Sequence, residues 1–171
     1  MKGIDLLLES MALLIEETED IDLTIVGKGS LEMWVKNFVH QKGLEKWITV
    51  KGDVADQILA SLYASSHCVV IPSRSESVPL VFSEALNFDK DLIVSDVGDM
   101  GTLGRQYGVA GVVAPGDPVS LKEMMKKRVL SRHRDGIIEH RGTPGVEEKR
   151  AELKQLFNIE TSVERFLADY V

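Results

Sequence analysis

Two glutamates, Glu76 and Glu84, flank the stretch Ser77-Val78-Pro79-Leu80-Val81-Phe82-Ser83, with seven residues between them. Pro79 has no backbone N–H and a fixed φ, which suits the first turn of a helix, so the spacing predicts a helix opening there. Leu80, Val81 and Phe82 then each carry an N–H without a partner inside the helix, and these donors together with the helix dipole make a site for phosphate. Glu84 lies five residues beyond Pro79, a rise of about 7.5 Å. Helical side chains lean back toward the amino end, so its carboxylate points to that site, where it can accept hydrogen bonds from two sugar hydroxyls. Glu76 falls in the preceding loop, on the other side of the phosphate position. One carboxylate would serve a nucleotide ribose and the other a second sugar.

Such a loop needs a strand before it and neighbours that bring other loops to the same end. Cys68-Val69-Val70-Ile71, stopped by Pro72, reads as that strand. Similar short apolar runs stand at 23–26, 48–50, 92–95 and 111–113, separated by stretches of helical spacing. The first stretch places Ile4, Leu7, Leu8, Met11, Leu14 and Ile15 on one face. Further helices are expected over Leu31 to His40, through Ile58 to Tyr63 with Asp53 or Asp56 near its start, and after Asp117-Pro118, where Asp can cap and Pro can open a helix holding Leu121, Met124 and Met125. Apolar strands without polar alternation imply burial on both faces. The expected fold is therefore α/β, a doubly wound parallel sheet of Rossmann-like type flanked by helices. In such a sheet ligands sit beyond the carboxyl ends of the strands, where the loops at 27–30, 52–54, 73–78 and 95–100 converge.

Residues 1–130 are read as this α/β domain, 131–145 as an exposed basic loop with Arg132, His133, Arg134, His140 and Arg141, and 146–171 as helices packing back on the same domain. The last of these helices shows a capping box at Thr161-x-x-Glu164 and a stripe of Val163, Phe166, Leu167 and Tyr170. Gly27-Lys28-Gly29 lacks the third glycine of a dinucleotide loop and reads as a turn with a solvent-facing lysine. Against 27 acidic residues stand 20 Lys and Arg, a net charge of −7 without a dense basic block, which argues against a nucleic-acid surface. The single Cys68 excludes an internal disulfide and reads as core, and no Cys/His cluster has metal-ligand spacing, which excludes a structural zinc site; no metal and no cofactor are expected. Without a signal-peptide pattern or an apolar run of about 20 residues, the expected location is cytoplasmic.

The motifs taken together are more specific than any one of them. Lys2-Gly3, Ile25-Val26-Gly27-x-Gly29, Val50-Lys51-Gly52-Asp53-Val54, Ile71-Pro72-Ser73, Glu76 through Ala85, Ser95-Asp96-Val97-Gly98 and Val113 through Pro118 follow in the order found in one family. Over residues 2 to 130 the chain resembles the carboxyl-terminal, donor-binding domain of a retaining GT-B glycosyltransferase of the "glycosyl transferases group 1" family. The resemblance implies transfer of a sugar from a nucleotide-diphosphate sugar to an acceptor, without a metal. By it Lys2 would bind the donor diphosphate, Val54 would lie near the base and Glu84 would hold the ribose. Glu76, whose place in the family is catalytic, and the backbone of Val78, Pro79, Leu80 and Val81 would surround the transferred sugar and its phosphates. An amino-terminal acceptor domain is the implied partner, with room for peripheral membrane contact through the full enzyme. In the family the first helix follows a strand near the middle of the sheet, and no strand-forming residues precede Ile4 here. An altered sheet, and pairing with a second copy as a homodimer, are the expected consequences. Asn87, Asp89 and Asp91 stand where the family has a small residue, Gly and Pro, and Asp89 is expected to take the left-handed helix end. The alternatives are a non-enzymatic nucleotide-sugar-binding or interaction module that kept the fold, and an unrelated nucleotide-binding doubly wound domain.

Overall fold

The computed structural model describes residues 2–135 and 145–157. Helices and strands alternate in chain order as α1 (Ile4–Ile15), β1 (Leu23–Val26), α2 (Glu32–Gln41), β2 (Ile48–Lys51), α3 (Asp56–Ser65), β3 (Cys68–Ile71), α4 (Leu80–Asn87), β4 (Asp91–Ser95), α5 (Gly98–Tyr107), β5 (Ala110–Val113), α6 (Pro118–Asp135) and α7 (Val146–Leu156). Every strand pair is parallel, as crossover helices require. The strands form two ladders rather than one continuous sheet, an altered sheet of the kind expected. β1 pairs with β2, and β3, β4 and β5 form a separate ladder in that order.

Two apolar clusters cover the sheets. The first gathers Leu7, Leu8, Met11 and Leu14 of α1, Val35 and Val39 of α2 and Leu121 and Met125 of α6 with Ile48 of β2, Ile93 of β4 and Val113 of β5. It therefore reaches both sheets, and within it α1 packs on α2 and α6. The second gathers Tyr63 of α3, Phe82, Ala85 and Leu86 of α4, Met100 and Tyr107 of α5 and Leu153 of α7 with Leu92 and Val94 of β4. Successive residues of β4 thus enter opposite clusters, and all five of its residues are buried. This is the two-sided burial read from the sequence. β1 and β2 depart from it: Thr24, Val26, Thr49 and Lys51 are exposed while their neighbours turn inward. The cause is α3, whose buried Tyr63 joins the second cluster rather than covering these strands.

Local chemistry places most boundaries. The Asp117 carboxylate accepts the N–H groups of Val119 and Ser120 at 3.0 and 3.1 Å, capping α6. α4 ends in a Schellman turn, with Asp89 N–H donating to Leu86 O at 3.0 Å and Lys90 N–H to Ala85 O at 2.9 Å. Asp89 has the φ of +54° that this turn demands, and is the one non-glycine with positive φ among the described residues. Pro79 stands one place earlier than expected, as the N-cap of α4, so that Leu80 is the first helical residue. Residues 131–135, expected to begin a loop, are helical instead, because α6 runs on to Asp135. Basic side chains such as Arg132, His133 and Arg134 do not break a helix, and the first glycine after Pro118 is Gly136. α7 begins at Val146 and lays Leu153 in the second cluster. The expected helix with Thr161, Val163, Glu164, Phe166, Leu167 and Tyr170 lies outside the described residues, as do residues 136–144.

An ion-pair clamp joins α6 to the end of α1. Glu17, in the turn that follows α1, accepts from Lys122 at 2.6 Å and from Lys126 at 2.5 Å. These two lysines hold its carboxyl down to about 2 from the usual 4.5. A carboxylate depressed in the folded state stabilises it above the unfolded value and loses that contribution as pH falls from about 4.5 toward 2. Glu17→Gln is accordingly expected to lower the melting temperature at pH 7 and to flatten its decline between pH 5 and 3. Thermal melts across that range check this, and an unchanged acid profile contradicts it.

Candidate functional site

The loop from Pro72 to Pro79 leaves β3 and enters α4, and it is held from two sides by close backbone contacts that only glycine permits. Gly3, the N-cap of α1, has φ +69°, and a Cβ there would lie 1.9 Å from Pro72 O. Gly98, the first residue of α5, has φ +51°, and a Cβ there would lie 2.2 Å from Glu76 O and 2.9 Å from Ser77 Cα. Glycine tolerates both the conformation and the contact. Side chains reinforce the arrangement. Arg74 makes a two-pronged pair with Asp5 in the first turn of α1, at 2.6 and 2.7 Å, which holds the Asp5 carboxyl below its ordinary range. Ser77 donates to Asp99 in the first turn of α5 at 3.2 Å. The amino ends of α1, α4 and α5 therefore meet around a single loop, and the positive ends of three helix dipoles lie together.

The sequence-predicted residues fall into this frame in two pairs. Lys2 donates to Glu76 Oε2, with the lysine three-quarters exposed and the glutamate largely covered. The cation and the carboxylate expected to serve different parts of one ligand are thus adjacent. Glu84, half-buried on α4, accepts a 2.7 Å hydrogen bond from the Tyr63 hydroxyl. Of the first-turn donors, Phe82 N–H is engaged by Pro79 O at 2.9 Å, which leaves Leu80 and Val81 as the pair facing outward. Leu80 is 79% exposed and Val81 39%, so this helix end is open to a ligand. Val78 is half-buried at the same corner and packs on the second cluster.

Val54 stands apart, in the loop between β2 and α3. That loop is tied to the turn after β1 by Lys28, whose ammonium donates to Asp53 at 3.2 Å, with both side chains well exposed. Gly27, with φ +133°, turns the chain there and donates to the carbonyls of Lys51 and Gly52. The reading of Gly27-Lys28-Gly29 as a turn with an outward lysine agrees with this. Cys68 packs against the first cluster, and burial, followed by the nearby Asp91, pushes its thiol up to about 12.

Gly3, Gly98 and Tyr63 are the residues that sequence reasoning passed over. The two glycines stood in view beside Lys2 and in Ser95-Asp96-Val97-Gly98, but nothing in their spacing tells which backbone they touch. No helix among the described residues is long and apolar enough to cross a membrane.

Comparison with known proteins agrees with this geometry. The chain is 26% identical over 114 residues to alpha-D-kanosaminyltransferase of Streptomyces kanamyceticus, which covers 67% of this chain and 29% of the relative. It is 31% identical over 121 residues to an uncharacterized glycosyltransferase of Methanocaldococcus jannaschii, 70% of this chain and 30% of the relative. Among solved structures, a glycosyltransferase of Rickettsia africae superposes with a TM-score of 0.82 at 20% identity, over 99% of this chain and 44% of that one. Anabaena HepE in complex with UDP superposes at 0.76 and 17%, again over 99% of this chain and 44% of that one. The chain thus spans less than half the length of these proteins, and its fold is the one they share, that of the GT-B glycosyltransferases. The model of the family described as "Glycosyl transferases group 1" matches residues 1–140, and the chain belongs to that family.

Proposed function

We propose that the chain is the donor-binding part of a retaining, metal-independent glycosyltransferase that uses a nucleotide-diphosphate sugar. The observation that carries this reading is the meeting of three helix amino ends at the Glu76 loop, with Glu84 one turn further along α4. Preorganised N–H donors and the Lys2 ammonium suit the charge that develops on a leaving diphosphate. That is the demand of a mechanism in which the acceptor attacks the face from which the diphosphate departs, and no enzyme nucleophile is then required. Glu84 would accept from the ribose hydroxyls, Glu76 would face the transferred sugar, and the loop at Val54 would border the base. Support for the ligand class comes from HepE, solved with UDP, with UDP and glucose and with UDP-glucose.

Binding is the first test. UDP and UDP-glucose at millimolar concentration are expected to raise the melting temperature and to give a heat of binding that EDTA leaves unchanged. If no nucleoside diphosphate or nucleotide sugar does either, the site assignment is wrong. Transfer itself is proposed to need an acceptor-side domain, because the match spans 44% of the solved relatives. Acceptor glycosylation is expected when such a domain is fused or supplied in trans. Multiple turnover by residues 1–171 alone would overturn the division into two halves.

A further inference from the structure

Tyr63 is a buried residue of α3, 9% exposed, and α4 holds it at two points. Glu84 takes its hydroxyl at 2.7 Å, and Phe88, four residues on, stacks on its ring at 5.1 Å and 13°. Burial, and then the Glu84 carboxylate, push the phenol well above its ordinary value of 10, so that it remains a donor at any working pH. A carboxylate on a flexible side chain has several rotamers and two equivalent oxygens. A buried donor bound to Oε2 selects a rotamer and leaves Oε1 as the acceptor that Tyr63 does not occupy.

We infer that Tyr63 is a positioning residue for recognition of a nucleotide's ribose diol, holding Glu84 with Oε2 engaged and Oε1 presented to the sugar hydroxyls. The inference rests on the reading of Glu84 as the ribose-binding carboxylate and adds the group that makes it selective. A purely structural tyrosine predicts something different. Its loss would loosen α3 against α4 and weaken all nucleotides alike, whereas loss of a positioning group falls on ligands that possess the diol.

The experiment is calorimetry with UDP and 2′,3′-dideoxy-UDP on the wild-type chain, Tyr63→Phe, Glu84→Gln and the double variant, with melting temperatures alongside. Tyr63→Phe keeps the ring, its packing and the Phe88 stack. It is expected to weaken UDP about fivefold and the dideoxy compound less than twofold. In the Glu84→Gln background the same change should add less than twofold, since the two residues act through one contact. Phe88→Leu serves as the structural comparison: it removes the stack, lowers the melting temperature and leaves the ratio of the two affinities unchanged. Equal losses for both ligands in Tyr63→Phe, or additive losses in the double variant, overturn the positioning role while leaving the nucleotide reading in place. A wild-type chain that binds both ligands equally overturns the ribose assignment and this inference with it. A chain that binds neither overturns the nucleotide reading itself.

Discussion

Gly98→Ala is expected to dislodge the loop that carries Glu76 and to remove most of the affinity for a nucleotide sugar. The added Cβ would lie 2.2 Å from Glu76 O and 2.9 Å from Ser77 Cα, and both are backbone atoms that no side-chain rotation can clear. The residue must also hold φ +51°, which costs a non-glycine about 1–2 kcal/mol before any clash. Either α5 or the loop has to move, and with it the Ser77 contact to Asp99 and the Lys2 pair with Glu76. A fall in melting temperature of roughly 6 °C or more and at least a tenfold loss in UDP-glucose affinity are the expected readings. Gly29→Ala is the matched comparison. Gly29 has open space around it and no positive φ, so the variant should melt as the wild type does. If the two alanine variants behave alike, the loop is not held by α5.

The two glutamates should separate cleanly by ligand. If Glu84 holds the ribose as proposed, Glu84→Gln removes a charge-assisted contact worth about 1.5–3 kcal/mol, a loss of roughly 10- to 150-fold in UDP affinity. Glu76→Gln should leave UDP within about twofold, because in the proposed reading Glu76 faces the transferred sugar, and neutralising it frees the Lys2 ammonium that it now engages. Its effect should fall on UDP-glucose. Calorimetry with both ligands on both variants decides the matter, and equal losses throughout would refute the division of labour.

Much of this protein is written in short segments. β3 coincides with Cys68–Ile71 and β1 with Leu23–Val26, since a β-branched run bounded by Gly or Pro has little alternative. The Asp117 cap and the left-handed Asp89 follow from chemistry within a few residues of each. The end of α6 lies beyond the point that its basic residues suggest, because charge does not stop a helix and no breaker stands before Gly136. The spacing of Glu76, Pro79 and Glu84 also announced a helix start between two carboxylates, because a helix start with its free donors is a local object.

What the sequence by itself determined is therefore the order of elements, the parallel α/β class and the helix start between two carboxylates at the head of α4. The tertiary structure alone decided where the sheet divides, that β1 and β2 are covered on one face, and that α1 and α5 close on the Glu76 loop through Gly3 and Gly98. It also chose the partners: Lys2 for Glu76, 74 residues away, and Tyr63 for Glu84, 21 residues away. Periodicity and capping report interactions within a turn or two of the chain. Contacts between elements depend on how each crossover returns, and only the packed core fixes that return.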